Sequence, residues 1–357
     1  MMNQKLPYYD LIQDLIDLGK AFKELADSEH PIKQDSIKLN GWFTEPGIDF
    51  ALKAWASSLE ETKILKWLSQ YPELSEVWNQ GGKEIQKVGL ILAGNIPLVG
   101  FHDILTSLVS GKKVLIKLSS QDSLLIPHII HTYLEKMKSF AGKIEITDRI
   151  QNIDLILATG SNNSSRYFEY YFGKYPNIIR KNRHSIAILT GEETQEEILD
   201  LGRDIFLYYG LGCRNVSKIL VPRDYNFIRL LDVLEAYREK MGNNKYLNNV
   251  QYQNALLQLK GKHFYQNGFL YLQEDSSLSS PISLVFYEYY DPTTIQSILQ
   301  SQEDQIQCIV GNESYLSSKH IPVRDLPVKI TPFGKSQSPE LWDYADQIDT
   351  LKFLLQN

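Results

Sequence analysis

Short apolar runs alternate with helical stretches through the middle of the chain, and this alternation restricts the fold more than any other feature. The runs at 87–93, 113–117 and 153–158 read as buried strands, and the stretches at 101–109 and 124–138 between them have helical spacing. A pattern that switches between strand and helix in this way is typical of a parallel sheet joined by crossover helices. The sequence therefore predicts an α/β fold.

A second α/β series follows the first and has its own local signals. Thr194 and Glu197 have the spacing of a capping box at the start of a helix. Residues 1–80, which precede both series, have apolar residues at helical spacing. The serine-rich stretch at 273–280 has the weakest signal of regular structure. We expect two Rossmann-type α/β domains with a cleft between them, where a functional site belongs. The strands of the second series are predicted at 185–189, 217–221, 282–287 and 306–310, and its helices at 194–208, 227–241 and 293–300.

Composition narrows the class of protein further. The 357 residues carry a net charge of -6 with a pI of about 5.7, which disfavours binding to nucleic acid or to an anionic membrane. We expect no signal peptide, no membrane span and, with only two cysteines, no disulfide framework. The 43% of hydrophobic residues can fill a sizeable core. These features predict a soluble cytoplasmic protein.

Cys213 is the first candidate for chemistry. It lies between Gly210, Gly212 and a predicted strand, and glycines permit a tight backbone and the close approach of a ligand. The attacking species of a catalytic cysteine is the thiolate, which a nearby positive charge such as that of Arg214 favours. The alternative is a small buried hydrophobic residue, which is how we interpret Cys308 inside its predicted strand.

Polar residues also follow each strand of the first series. Asn95 follows the first strand and could donate its amide to an oxyanion, although asparagine and proline also cluster in ordinary turns. Lys117 ends the second strand and, together with the hydroxyl of Ser119 that follows, could hold the ribose and phosphate of a nucleotide. The third strand ends in a Thr-Gly-Ser turn at 159–161 that suits a phosphate at a helix N-terminus. The usual glycine-rich dinucleotide and P-loop fingerprints are absent from the sequence.

The order of these features resembles the aldehyde dehydrogenase superfamily from about residue 84 to residue 225, and more weakly at 331–334. In that resemblance Cys213 is the nucleophile and Asn95 is the oxyanion-hole asparagine. Ser217-Lys218 stands where the superfamily usually has Ser-Arg. The residues that the resemblance places beside the cofactor are Lys117, Ser119, Thr159, Gly160 and Ser161.

Within the superfamily, the segments at 92–98, 210–215 and 332–337 most resemble the acyl-CoA reductase branch, the LuxC-like proteins. That resemblance implies reduction of long-chain acyl-CoA to fatty aldehyde, with NADPH and an acyl thioester on Cys213. Aldehyde-oxidising members have a glutamate that activates water, whereas the matching stretch at 178–183 has no carboxylate, which favours reduction. Ser119 and Ser120 follow Lys117 where NAD-preferring members place a carboxylate, which favours NADPH, although Asp122 lies close.

Several further features of the sequence leave alternatives open. The segment at 277–281 stands where the family has a motif whose glutamate holds the nicotinamide ribose, so either another residue such as Glu274 holds the ribose or cofactor binding is weak. His102 could protonate the thiohemiacetal, but a histidine in the first turn of a helix is more often structural, and His184 is similarly open. The aromatic run at 167–172 could line an acyl tunnel, although aromatic residues at helical spacing usually fill a core.

The resulting prediction divides the chain into three parts. Residues 1–184 form a cofactor-binding domain with a helical N-terminal region, 185–325 form the catalytic domain with the nucleophilic cysteine, and 326–357 form a C-terminal return segment. The expected partners are the acyl-CoA substrate, an acyl-synthetase or acyl-transferase protein and further copies of the chain; no metal is expected. The alternatives are a cysteine acyltransferase, a reductase of an acyl phosphate or short acyl-CoA, and a non-catalytic subunit that binds an acyl-synthetase.

Overall fold

The computed structural model of the chain describes residues 8–79, 85–319, 321 and 328–357. Within them, the residues up to Lys181 form one compact unit together with Glu340–Asn357, and Asn182–Pro339 form a second. The domain limits predicted from the sequence stay a prediction, and the predicted limit between residues 325 and 326 lies outside the described residues.

The first unit begins with helices, as the sequence predicts. Leu11, Leu15 and Phe22 recur on one face of the first helix and are fully buried, which packs that helix against the third. The third helix begins after Thr44, whose hydroxyl accepts from the backbone N–H of Gly47 at 3.2 Å. The helices are α1 (Tyr9–Asp27), α2 (Pro31–Leu39), α3 (Glu45–Ser58), α4 (Glu61–Leu68) and α5 (Leu74–Asn79).

A parallel sheet follows in the order β3-β2-β1-β4-β5. Its central strands are the three that the sequence predicts, while β3 and β5 at the edges were not predicted. The helix predicted at 124–138 is shorter than expected, because its α-helical part ends at Thr132 and a short 3-10 turn follows at Leu134–Lys136. The elements are β1 (Lys87–Ile91), α6 (Phe101–Val109), β2 (Lys113–Lys117), α7 (Leu125–Thr132), β3 (Ile144–Ile146), β4 (Leu155–Thr159), α8 (Asn162–Phe172) and β5 (Asn177–Arg180).

The second unit contains a sheet in the order β12-β11-β6-β7-β10-β9-β8, in which only the β8–β9 pair among the described strands is antiparallel. The predicted capping box is present, since Thr194 and Glu197 exchange side-chain and backbone hydrogen bonds. The stretch at 273–280 is less irregular than predicted, because β9 extends into it. The elements are β6 (His184–Ile188), α9 (Gln195–Phe206), β7 (Val216–Val221), α10 (Phe227–Leu234), α11 (Asn244–Lys260), β8 (Phe264–Gln266), β9 (Tyr271–Glu274), β10 (Leu284–Tyr289), α12 (Ile295–Gln300), β11 (Ile306–Val310), α13 (Glu313–Ser318) and β12 (Ile330–Thr331).

The last helix, α14 (Thr350–Gln356), returns to the first unit. Buried Arg180, at the end of β5, donates to the Asp103 carboxylate of α6 at 2.5 Å and to the Thr350 hydroxyl at 2.9 Å. One guanidinium therefore joins the edge strand to two helices, and removing it would leave a buried carboxylate unpaired. Among the described residues, no helix combines the length and apolarity needed to cross a membrane.

Candidate active site

The carboxyl ends of β1, β2 and β4 meet at one edge of the first sheet. Ile91 pairs with Lys117 on one side and with Ala158 on the other, so the three strands end at the same level. The polar segments that follow these strands therefore start from one edge of the sheet. This is the edge at which open parallel sheets bind their ligands.

The Asn95 turn is held by the segment that follows β2. A Cβ atom added at Gly94 would lie 2.7 Å from the side chain of Ser119 and 2.9 Å from the backbone N of Asp122, so only glycine fits there. Leu98 ends the turn with a left-handed φ of 59°, and its N–H lies 3.4 Å from the Asp122 carboxylate. Burial raises the pKa of Asp122 to about 6, against backbone N–H groups that lower it. Half-buried Asn95 thus follows a glycine that packs closely against Ser119 and Asp122.

Lys117 and Ser119 lie where the sequence places them, at the end of β2. Lys117 is exposed, and its ammonium donates to the backbone carbonyl of Asp148 at 2.9 Å. The Ser119 hydroxyl accepts from the N–H of Gln121 at 3.2 Å and so caps a short 3-10 turn. A cation and a hydroxyl beside the Asn95 turn form a polar surface of the kind that binds a sugar phosphate.

The Thr-Gly-Ser turn leads directly from β4 into α8. Ser161 is the N-cap of α8, and its hydroxyl accepts from the N–H of Ser164 at 3.2 Å. A Cβ atom at Gly160 would lie 2.8 Å from both Ser164 and Phe168, so glycine lets α8 pack back on its strand. Thr159 pairs with Arg180 in the sheet. The turn thus presents a helix N-terminus at the same sheet edge as Lys117.

In the second unit, the chain leaves α9 through a strained turn. Tyr208, Tyr209 and Gly210 have left-handed φ values of 58°, 57° and 79°. For a residue with a side chain this conformation costs on the order of 1–2 kcal/mol. This cost must be offset by interactions elsewhere, and one of them is the hydrogen bond from the side chain of Asn215 to the carbonyl of Leu207, directly before the two tyrosines.

Cys213 lies on a tight turn between this strained segment and β7, and it is exposed. The turn runs from Gly212 to Asn215 and is closed by the N–H of Asn215, which donates to the carbonyl of Gly212 at 3.0 Å. On its other side, the hydroxyl of buried Ser185 on β6 donates to the carbonyl of Cys213 at 3.0 Å. The backbone of the candidate nucleophile is held from two directions.

The side chain of Asn215 is buried and joins this turn to the end of α9. Its Oδ1 accepts from the N–H of Gly212 at 2.8 Å. Its Nδ2 donates to three carbonyls at the C-terminal end of the helix, those of Asp204 at 2.9 Å, Ile205 at 3.3 Å and Leu207 at 2.6 Å. A helix end leaves such carbonyls without intrahelical partners, and this amide satisfies them.

Asp204 is a residue of this site that no sequence motif indicates. Its buried carboxylate accepts from the N–H of Gly334 at 2.7 Å, from the N–H of Ser336 at 3.1 Å and from the Ser336 hydroxyl at 2.8 Å. The segment around 334–336 is one of those that resemble the family, and these three hydrogen bonds hold it against α9. Burial raises the pKa of Asp204 to about 6, while the bonds from Ser336 and Gly334 act in the opposite direction.

Ser217 and Lys218 on β7 hold the segment that precedes β10. The Ser217 hydroxyl donates to the carbonyl of Leu278 at 2.7 Å. Buried Lys218 donates to the carbonyl of Ser276 at 2.7 Å and pairs with Glu288 at 2.5 Å. Strand β7 thus fixes the segment that replaces the family's nicotinamide-ribose motif.

Two other predictions about individual residues are supported. Cys308 is buried in β11 and its thiol donates to the Thr331 hydroxyl at 3.2 Å. Burial raises the pKa of this thiol, while Arg214 acts in the opposite direction.

His102 forms a hydrogen bond with the carbonyl of Leu341 at 3.0 Å and packs against Tyr344. These contacts give His102 a structural role. At His184, burial lowers the pKa of the imidazole.

The aromatic run at 167–172 was predicted to pack as core, and this is correct for only part of it. Phe168 and Phe172 pack against the buried cluster beneath the first sheet. Tyr167, Tyr170 and Tyr171 are 66%, 83% and 62% exposed, so the prediction is wrong for them. Helical periodicity shows which residues share a face, but not that a polar-tipped aromatic residue on the other face stays in solvent.

The fold defined by these elements is that of the aldehyde dehydrogenases. An oxidoreductase from Marinobacter aquaeolei is similar with a TM-score of 0.67 and 12% identity, over 95% of this chain and 80% of that one. Aldehyde dehydrogenase 21 from Physcomitrella patens gives 0.65 and 13%, over 97% and 82%. Betaine aldehyde dehydrogenase from Staphylococcus aureus gives 0.65 and 12%, over 92% and 75%. No curated protein matches the chain in sequence.

The particular family follows from the sequence match. The family model described as acyl-CoA reductase (LuxC) matches residues 50–245, more than half of the chain. The protein therefore belongs to the LuxC family of acyl-CoA reductases, which are oxidoreductases acting on acyl and aldehyde groups. The matched segment contains every site residue predicted from the sequence, from Asn95 to Cys213.

Proposed function

We propose that the protein reduces long-chain fatty acyl-CoA to fatty aldehyde with NADPH, through an acyl thioester on Cys213. The observation that carries this proposal is the exposed Cys213 on a turn whose backbone is fixed by buried Asn215 and Ser185. Structural cysteines are usually buried in regular elements, as Cys308 is. An exposed cysteine on a hydrogen-bonded turn that directly follows a strained segment is instead typical of a nucleophile.

The first half of the reaction is acyl transfer. The Cys213 thiolate attacks the carbonyl carbon of acyl-CoA, the C–S bond to CoA breaks, and CoA leaves as its thiolate. Asn95 is the proposed side-chain donor to the oxyanion, and the backbone N–H of Cys213 is the second. In a planar trans peptide, this N–H points away from the Gly212 carbonyl, which is directed into the turn by its bond to Asn215.

The second half is reduction of the thioester. Bound NADPH supplies the hydride for the acyl carbon. With one proton, this would give a thiohemiacetal on Cys213, which loses its hydroxyl proton as the C–S bond breaks, so that aldehyde and the Cys213 thiolate form and the released proton neutralises the CoA thiolate. The net reaction converts acyl-CoA, NADPH and a proton into aldehyde, CoA and NADP⁺.

The residues at the edge of the first sheet suit a dinucleotide phosphate. Exposed Lys117 supplies a cation, Ser119 a hydroxyl, and the turn of 159–161 the N-terminus of an 11-residue helix. Among the similar structures, the Staphylococcus aureus enzyme was solved in complex with NAD⁺, and another is that of an NADP-dependent enzyme from E. coli. We infer that a nicotinamide cofactor binds at this edge. A hydroxyl at Ser119 tolerates a 2'-phosphate better than a carboxylate would, which favours NADPH.

The sequence near β5 supports reduction over oxidation. The stretch at 178–183 that matches the water-activating segment of aldehyde-oxidising relatives contains arginines and a lysine and no carboxylate. Without a general base to activate water, the thioester on Cys213 survives long enough to accept hydride. The long acyl chain follows from the LuxC resemblance.

The test is NADPH consumption with a series of acyl-CoA esters from acetyl to palmitoyl, by the wild-type protein and Cys213→Ala, with Cys308→Ala as the matched control. We expect consumption that depends on acyl-CoA, increases with chain length, survives in Cys308→Ala and disappears in Cys213→Ala. An acyl-protein that forms without NADPH consumption would indicate an acyltransferase. A preference for acetyl-CoA or for an acyl phosphate would contradict the long-chain substrate.

A further inference from the structure

We infer that Asn215 is a positioning residue that sets the orientation of the Cys213 nucleophile. The inference rests on the proposed function, in which Cys213 carries the acyl group. Asn215 is two residues from Cys213 and touches neither substrate nor cofactor in that scheme. Its effect is exerted through the backbone of the turn.

The side chain and the backbone N–H of Asn215 all hydrogen-bond to backbone groups. The residue is only 2% exposed, so these bonds compete little with solvent. Oδ1 accepts from Gly212 N at 2.8 Å, the backbone N–H donates to Gly212 O at 3.0 Å, and the two Nδ2 hydrogens serve three carbonyls of the α9 end. Asn215 therefore hydrogen-bonds to both the N–H and the carbonyl of Gly212, the residue immediately before the nucleophile.

This pattern defines the peptide planes on either side of Cys213. Because Asn215 holds the Gly212 carbonyl inside the turn, the N–H of Cys213 is directed to the opposite side. The next peptide is fixed by Ser185, which donates to the Cys213 carbonyl at 3.0 Å. With both planes fixed, the Cα–Cβ direction of Cys213 is fixed as well, and only rotation about χ1 remains.

The same amide stabilises the strained approach to the turn. Its shortest bond, 2.6 Å, goes to the carbonyl of Leu207, directly before the left-handed Tyr208 and Tyr209. Without this bond, the carbonyl would be left unsatisfied and the two tyrosines could relax toward ordinary φ values. Relaxation there would displace Gly212 and Cys213, and a displacement of about 1 Å at a reacting group is sufficient to cost about 100-fold in rate.

The experiment compares Asn215→Ala with Asn267→Ala. Asn267 is a matched control, because it also bonds a turn in both directions: Nδ2 donates to the Leu231 carbonyl at 3.1 Å and Oδ1 accepts from the N–H of Leu270 at 3.1 Å. It lies in the β8–β9 hairpin rather than in the nucleophile turn. Each variant is measured for melting temperature, for alkylation of Cys213 by iodoacetamide with Cys213→Ala as blank, and for turnover of palmitoyl-CoA with NADPH.

We expect Asn215→Ala to lower kcat by about 100-fold, with KM for palmitoyl-CoA and the alkylation rate changed by no more than about threefold. Alkylation needs an accessible thiolate but no oxyanion geometry, so it separates orientation from exposure. Asn267→Ala should melt at a lower temperature with kcat unchanged. If kcat of Asn215→Ala stays within about threefold of wild type, or if alkylation falls in the same proportion as turnover, the inference is overturned.

A second variant keeps the test valid if Asn215→Ala fails to fold. Asn215→Asp keeps the acceptor for Gly212 N but turns a carboxylate toward three carbonyl oxygens, which raises its pKa. When protonated, the acid donates one of the lost bonds. Its kcat relative to wild type should therefore recover as the pH falls from about 8 to about 6. A ratio that does not change with pH would contradict the inference.

Failure of the proposed function is distinguishable from failure of this inference. If the wild-type protein neither consumes NADPH nor forms an acyl-protein with palmitoyl-CoA, the proposed function fails and the inference with it. If the wild-type protein forms the acyl-protein without reduction, the rate of acylation replaces kcat in the comparison. If wild type and Asn215→Ala turn over equally, only the inference fails.

Discussion

Asn215 donates from its side chain to the backbone carbonyl of Asp204 at 2.9 Å, while the carboxylate of the same Asp204 binds Gly334 and Ser336. One residue near the end of α9 thus holds both the turn of the candidate nucleophile and the segment around 334–336. The two segments are far apart in sequence, yet both are motifs that carried the family resemblance. Because Asp204 connects the two segments in space, their structures depend on the same residue, which is a physical reason why both resemble the family.

Asp204 should make stability depend on pH in an unusual direction. Burial raises its pKa to about 6, so the folded protein retains this proton where the unfolded chain has already lost it. The contribution of the group is fully present below about pH 4 and is lost as the pH rises through 6. Relative to Asp204→Asn, the free energy of unfolding of the wild-type protein should fall by on the order of 2 kcal/mol over this range.

Urea denaturation of both proteins from about pH 4 to about pH 7 measures this difference. Ser336→Ala provides the second arm, because the Ser336 hydroxyl lowers the pKa of Asp204. Its loss should extend the fall to higher pH. A difference between wild type and Asp204→Asn that stays constant across the series would refute the prediction.

Gly94→Ala should impair the site without unfolding the protein. The added Cβ would lie 2.7 Å from Ser119 and 2.9 Å from the backbone of Asp122, so the Asn95 turn must move. We expect kcat/KM for acyl-CoA to fall at least about 10-fold, since Asn95 is the proposed oxyanion donor. Gly242→Ala is the control, because nothing lies within 4 Å of its added Cβ. Equal activity of the two variants would show that the turn tolerates displacement.

Ser119→Asp should change the preference between the two nicotinamide cofactors. Aspartate is as good an N-cap as serine, so the 3-10 turn that Ser119 caps through Gln121 should persist. A carboxylate there repels a 2'-phosphate, which should raise KM for NADPH by about 10-fold or more and affect NADH much less. Ser119→Asn, which keeps the cap without the charge, is the matched control. Parallel increases for both cofactors would place the 2'-phosphate elsewhere.

Tyr344→Phe should destabilise the first unit. Fully buried Trp67 donates its indole N–H to the Tyr344 hydroxyl at 2.8 Å, and Tyr71 lies 2.7 Å from the same oxygen. Removing that oxygen leaves the Trp67 donor buried without its acceptor, at a cost of about 1–3 kcal/mol. Urea denaturation should show this loss and no comparable loss for Tyr252→Phe, whose side chain is 60% exposed.

The sequence predicted the central part of each sheet well. Strands β2 and β11 have the predicted limits, and β1, β4, β6, β7 and β10 differ by no more than a few residues. These strands are apolar because the sheets bury them, and that burial leaves a continuous run in the sequence. The edge strands β3, β5, β8 and β12 were not predicted, because they are short and only partly buried and so have no such run. Strand β9, which lies between β8 and β10 and is buried, was not predicted either.

Helix α11 was missed for a related reason. Its 17 residues carry asparagines and glutamines on most faces, and its apolar positions do not form a clear stripe. Its N-terminus is nevertheless marked by Asn243, whose side chain accepts from two backbone N–H groups. An asparagine at this position is a helix-start signal that the sequence contains.

Among the site residues, the sequence by itself determined the chemical identity and the order along the chain. A cysteine between glycines, and polar residues after three successive strands, are local features that strand–turn–helix connections place at sheet edges. Only the tertiary structure showed which residues hold them. The bonds from Ser185 to Cys213 and from Asp204 to Ser336 join groups that are 28 and 132 residues apart. Such contacts arise from the packing of strands and helices that do not follow one another in the chain, so no local pattern records them.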